Sequence, residues 1–82
     1  MSQDITVTTL FFSFAADRMN CRNKNYVIPQ GTTLGEMVHL LQPQLGPDST
    51  HWLYSVNEEW ASGERPLEDG DEIAVIPPVS GG

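Results

Sequence analysis

With four Lys plus Arg, two His and one Cys, this 82-residue chain has little of what several kinds of chemistry need. Its formal net charge of −7 disfavours nucleic acid as a partner, because phosphate binding is carried by Lys and Arg. The one basic cluster, Arg18, Arg22 and Lys24, reads as part of a loop. A single cysteine, Cys21, cannot close an internal disulfide, and so small a domain without staples suits a reducing compartment. No apolar run approaches the ~20 residues that cross a bilayer, and the polar start Met1-Ser2-Gln3-Asp4 is not a secretory signal. The expectation is a cytoplasmic protein with no membrane contact.

Catalytic constellations are equally scarce. His39 and His51 have no second cysteine to complete a metal quartet, and no Gly-rich phosphate loop precedes a helix. Glu36 and His39 have the Glu-x-x-His spacing of di-iron bundles, but such sites need a second copy and further carboxylates, so the match reads as coincidence. Basic neighbours favour the Cys21 thiolate, yet no base accompanies it, and a spectator thiol is the simpler reading. Glu58-Glu59 sits at a turn and reads as solvation rather than acid/base chemistry. No bound cofactor and no metal are expected.

What is present describes one small domain, residues 1–82. A chain of this length, 39% hydrophobic, buries about 60 to 65% of its unfolded surface around one modest core. From Ile5 to Phe14, β-branched and aromatic residues run without Gly or Pro, which predicts a strand. The polar run from Asn20 to Asn25 predicts a turn into a short strand over Tyr26-Val27-Ile28, closing a hairpin. Thr33 and Glu36 have capping-box spacing, and Leu34, Met37, Val38, Leu41 and Leu45 form one apolar stripe at helical period. Pro43 is expected to end that helix near Gln42, with Gly46-Pro47-Asp48 confirming the break. Little room remains for a second full helix before Trp52. Strands resume over Trp52 to Val56, briefly near Trp60, and from Glu72 to Ile76 after an Asp69-Gly70 turn. Seven of the eleven acids fall between Glu58 and Glu72. They read either as a solvated face or as a surface steering toward a basic partner.

One helix covers one face of such a sheet, and strand alternation sends Phe11 and Phe12, like Val75 and Ile76, to opposite faces. Large apolar groups therefore stand on the uncovered side as well. The chain then closes on Gly81-Gly82, a terminal carboxylate with no side chain near it. As a chance pair this is expected on the order of once in 200 chains, and a frayed terminus is the bland alternative. Pro77-Pro78 adds weight, since two prolines remove two donors and can neither extend a ladder nor enter a helix. At ~3.3 Å per extended residue, a tail over residues 77–82 reaches roughly 20 Å.

The run from Leu67 to Gly82, with Leu10-Phe11-Phe12 and Val56-Asn57-Glu58, resembles the MoaD family of ubiquitin-like sulfur carriers, the small subunits of molybdopterin synthase. The likeness spans nearly the whole chain, is most specific in the last sixteen residues and is weakest between Arg18 and Thr50. It implies an α+β, β-grasp (ubiquitin-like) fold, a mixed sheet of four to five strands packed on one main helix. It also implies a carrier that is no enzyme by itself and whose reactive group is Gly82. An ATP-using, ubiquitin-activating-type (MoeB-like) adenylyltransferase would adenylate Gly82, and a sulfur donor would displace AMP to leave a thiocarboxylate. The tail would then enter the large (MoaE-like) subunit and give sulfur to cyclic pyranopterin monophosphate, forming the molybdopterin dithiolene. In that scheme Gly81 permits threading, Pro77 and Pro78 direct the tail, and Pro77, Pro78, Val79 and Ser80 meet the partner. Phe12, Trp60 and Ile76 would dock the partner, against the simpler possibility that they fill core edges or stand singly exposed. Where family members often carry Arg-Glu after the first strand, this chain reads Ala16-Asp17-Arg18, so that contact is not carried over. Two other uses of the same end stay open. One is sulfur delivery to thiamine, cysteine or transfer-RNA thiolation; the other is conjugation to lysines as a protein modifier.

Overall fold

The computed structural model describes residues 3–78. Five strands make one mixed sheet: β1 (Asp4–Phe11), β2 (Asn23–Pro29), β3 (Leu53–Val56), β4 (Glu59–Trp60) and β5 (Glu72–Ile76), in the spatial order β2-β1-β5-β3-β4. The central pair, β1 and β5, is parallel, while β1–β2, β3–β5 and β3–β4 are antiparallel. A 12-residue helix, α2 (Leu34–Leu45), lies across one face. All five residues of the expected stripe, Leu34, Met37, Val38, Leu41 and Leu45, are buried there. Each such side chain contributes about 2 kcal/mol by leaving water. They meet Val7, Phe11, Val56, Ile73 and Val75, the inward residues of alternating strands.

The start of α2 leaves none of its first three amides unpaired. Thr33 Oγ1 accepts from the Glu36 N–H at 3.2 Å while Glu36 Oε1 accepts from the Thr33 N–H at 2.9 Å, the capping box that the spacing predicts. The Leu34 and Gly35 amides donate to the carbonyls of Arg65 and Gly63, at 2.8 and 2.9 Å. The loop between β4 and β5 is thereby joined to the helix that a lone cap would leave half satisfied. Gly35 suits this close approach, since a Cβ would stand 3.1 Å from the Gly63 carbonyl oxygen, tighter than an ordinary contact.

The structure departs from the sequence expectations at both ends of the least regular stretch. The first strand stops at Phe11, not Phe14, and Phe14–Met19 forms a short helix, α1. Ser13, at φ 53°, breaks the strand, and the chain then turns so that Ala15 and Met19 join the core. Arg18 is therefore on a helix and not in a loop. Its guanidinium donates to the Leu45 carbonyl at the end of α2 and stacks near the Phe14 and Trp52 rings, 4.9 and 5.8 Å from their centroids. The second strand starts at Asn23, inside the run read as a turn.

Pro43 does not stop α2 near Gln42; the helix continues to Leu45. Proline removes one bond of the ladder, but the last turn brings Leu45 to full burial and Arg18 to its carbonyl, and the Gly46 amide donates to Gln42 at 2.8 Å. These gains outweigh one lost bond. A 3₁₀ turn, Pro47–His51, follows where the break was expected, and the Tyr54 hydroxyl donates to its Ser49 carbonyl at 2.6 Å. Burial pushes the Tyr54 phenol up to about 12.

Candidate functional site

The site is the uncovered face of the sheet at the end where β5 leaves it. Register places side chains there in two rows. Leu10 on β1 pairs with Ala74 on β5, which pairs with Ser55 on β3, which pairs with Trp60 on β4. One step nearer the chain exit, Ile76 pairs with Leu53, and Phe12 follows Phe11, the partner of Val75. At ~4.8 Å between strands, the four-strand row spans about 14 Å. Phe12 is 48% exposed, Leu53 59% and Trp60 68%, while Leu10 and Ile76 are half-buried. Ala74 and Ser55, in the middle of the first row, are buried, and the exposed apolar groups flank them; apolar exposure gathered in this way marks an interface.

Phe12, Trp60 and Ile76 thus lie on the same uncovered face, as the sequence argument requires. Leu53, at the centre of that surface beside Ile76, was missed. The signal was available: Leu53 and Tyr54 are adjacent large apolar residues in a strand, the same pattern that singles out Phe11-Phe12. Tyr54 takes the covered face and Leu53 the open one.

The exit itself is held firmly. The Phe12 amide donates to the Val75 carbonyl at 3.2 Å, extending the parallel pairing one residue beyond β1. Pro77 is buried and Pro78 exposed, so the chain leaves the body after Pro77. Val79, Ser80, Gly81 and Gly82 lie outside the described residues. Beside Leu53 and Trp60 a groove of about 260 Å³ runs between β3–β4 and α2, lined also by Val38, His39, Trp52 and Ala61.

Polarity divides this face along the strands. Toward the other end, the outward positions are mostly polar, Thr6, Thr8, Asn25 and Glu72, with Val27 on edge strand β2 the apolar exception. The acids expected as one solvated or steering surface partly serve turns there. Asp69 Oδ1 accepts from the Thr6 amide at 2.8 Å. Asp71, which is buried, accepts from the Asn57 side-chain amide at 2.9 Å and from the Glu68 backbone at 2.8 Å. Asn57 and Glu58 both have positive φ, 54° and 69°, the two-residue turn that matches strand twist in a hairpin. No group of three or more metal-ligating side chains occurs among the described residues, and no helix is long and apolar enough to cross a membrane.

A parallel central pair, a flanking antiparallel pair on each side and one helix across the sheet define a β-grasp protein of the ubiquitin-like class. Residues 10–82 match the ThiS family model. The human molybdopterin synthase sulfur carrier subunit is 32% identical over 82 residues, covering 93% of each chain. Its counterpart in Escherichia coli is 37% identical over 54 residues, 55% of this chain and 67% of that protein. Among solved structures, SAMP1 from Haloferax volcanii has a TM-score of 0.83 at 25% identity, covering 94% of this chain and 99% of that one. A chain from the complex of subunits 1 and 2 of the molybdopterin-converting factor of Helicobacter pylori has a TM-score of 0.62 at 27% identity, covering 95% and 100%. The chain belongs to the ThiS family, and its human and Drosophila yakuba relatives are sulfur carrier subunits of molybdopterin synthase by name.

Proposed function

We propose that this chain is the sulfur-carrying small subunit of a molybdopterin synthase, with the Gly82 carboxylate as its working group. The carrying observation is the coincidence of two features. Relatives of that name align over 93% and 95% of the chain, and the apolar rows on the open face border the point where β5 releases the tail.

A C-terminal carboxylate, with a pKa of roughly 3.5, is ionised and a poor electrophile at neutral pH. ATP on a ubiquitin-activating-type enzyme would convert it to an acyl-adenylate with loss of pyrophosphate. Attack by the outer sulfur of a donor persulfide would displace AMP and leave an acyl disulfide, which a second thiol would cleave by forming a disulfide with the donor's remaining sulfur, releasing the thiocarboxylate. Gly81 and Gly82, without Cβ atoms, suit a narrow active site. The large subunit supplies the catalytic side chains, while Phe12, Leu53, Trp60 and Ile76 dock it and Pro77 and Pro78 set the tail's direction. Sulfur passes to cyclic pyranopterin monophosphate to form the dithiolene, in the cytoplasm.

Intact-mass measurement of the protein purified from its own cells tests the chemistry, with replacement of one oxygen by sulfur at Gly82 expected. Co-purification of a molybdopterin synthase large subunit tests the pathway; capture of a thiazole-forming enzyme alone overturns it. A second reading has its own support, since a solved structure of the small archaeal modifier protein 1 of Haloferax volcanii shares the fold at a TM-score of 0.78. Lysine-linked adducts with cellular proteins, without the sulfur-substituted form, would favour that modifier role.

A further inference from the structure

The sheet has a second open feature, on the side away from the β3–β4 groove. β2 is an edge strand of seven residues. Hydrogen bonds fix which of its backbone groups are free. The Phe11 amide donates to the Arg22 carbonyl and the Gln30 amide to the Gln3 carbonyl, both at 2.8 Å. Odd-numbered residues of β1 therefore bond to β2, and even-numbered ones, such as Thr8 to Asp71 at 2.9 Å, bond toward β5. In this antiparallel register Lys24, Tyr26 and Ile28 turn their backbone groups inward to β1. Asn23, Asn25 and Val27 each hold an N–H and a C=O outward, and no partner for them occurs among the described residues. Pro29 closes the row, since it has no N–H and its carbonyl accepts from Thr32.

Charge and polarity grade along this edge. Arg22 and Lys24 are exposed at one end, with no acid in sequence between Asp17 and Glu36. Among the described residues the one ion pair is Arg65–Glu59, at 3.9 Å, so neither of these cations is paired there. At the other end Val27 is 68% exposed and Tyr26 half-buried. Leu40 is exposed on α2. Gly35, Val38 and His39 line the β3–β4 groove, and 100° per residue turns Leu40 to the opposite flank, toward β2.

We propose that the β2 edge receives an extended segment of a partner protein as a sixth strand, acidic where it passes Arg22 and Lys24 and apolar where it passes Tyr26 and Val27. Backbone pairing supplies the attachment and the two cations set the specificity. A second copy of this chain fits less well. No acid occurs between Asp17 and Glu36, so β2 paired with a second β2 would offer Arg22 and Lys24 no carboxylate.

The probe is an acetylated, amidated peptide Val-Ile-Val-Ile-Glu-Glu-Glu, compared with Val-Ile-Val-Ile-Lys-Lys-Lys, titrated into the full chain and followed by amide NMR and hydrogen exchange. Slowed exchange is expected at Asn23, Asn25 and Val27, with the lysine peptide at least about five-fold weaker, as two exposed ion pairs allow. Arg22→Glu with Lys24→Glu should reverse that preference, and Val27→Pro, which removes an outward N–H, should weaken binding about five-fold. Equal affinity for both peptides overturns the proposal, as do shifts confined to Leu10, Leu53 and Trp60, or absence of protection. Protection of the same amides by dimerisation without peptide also overturns it. If Val27→Pro does not fold, the two peptides on the unaltered chain decide.

Discussion

The two faces of the sheet are built from the same strands and both carry large apolar residues, yet they face different demands. On the covered face, Val7, Val56, Ile73 and Val75 have no measurable exposure, because α2 lays its stripe over them. On the open face, Leu53 and Trp60 keep more than half of theirs. An apolar side chain contributes to stability only through what covers it. The covered row therefore holds the fold, and the open row is available to hold something else.

The largest effect should come from the covered face. Ile73→Ala is expected to cost about 3 kcal/mol of folding stability, read by chemical denaturation, because a filled site becomes a cavity. A loss below about 1 kcal/mol would mean that α2 collapses onto the gap and that the covered face is softer than its burial implies. Trp60→Ala should reverse the pattern. Its stability should move by no more than about 0.5 kcal/mol, while affinity for a molybdopterin synthase large subunit drops by about 2 kcal/mol, roughly thirty-fold. Calorimetry of the mixed subunits reads the second number; unchanged affinity would sever the open face from docking.

A smaller effect tests a flaw in the covered face. Thr9 is fully buried and its hydroxyl has no partner among the described residues. Thr9→Val keeps the shape and removes the unsatisfied group, so it should stabilise by about 1 kcal/mol in the same denaturation assay. Destabilisation would reveal a partner for that hydroxyl. The mildest contrast concerns pH. Burial raises the Tyr54 phenol from 10.0 to about 12 and raises Tyr26 as well. The folded state prefers protonated Tyr54, so this contribution is complete below pH 10 and fades as pH climbs from 10 to 12. Ultraviolet titration of phenolate should show Tyr54 ionising near 12 rather than 10 while the chain stays folded.

Regular periodicity was legible in the sequence wherever one face of an element is buried. The α2 stripe, its capping box and β5 all follow from spacing, since a single misplaced step would expose the whole set. What escaped the sequence depends on contacts distant along the chain. Arg18 reaches Leu45 across 27 positions, so neither α1 nor the persistence of α2 through Pro43 shows in a local window. Leu53 was hidden for a different reason: its strand has only four residues, and alternation over so short a run is easily read as one continuous core strand. For the site, the residues that gather at the exit were readable from alternation at Phe12 and Ile76, but the register that brings Trp60 into the same surface was not.

Buried Pro77 carries a consequence for the encounter with a partner. Ordering a flexible residue on binding costs roughly 1 to 2 kcal/mol of backbone entropy. Ile76 is held by its strand pairing, and Pro77 combines a fixed φ with burial against the body. The root of the tail is thus aimed before any partner arrives, and binding removes no backbone entropy at Ile76 or Pro77.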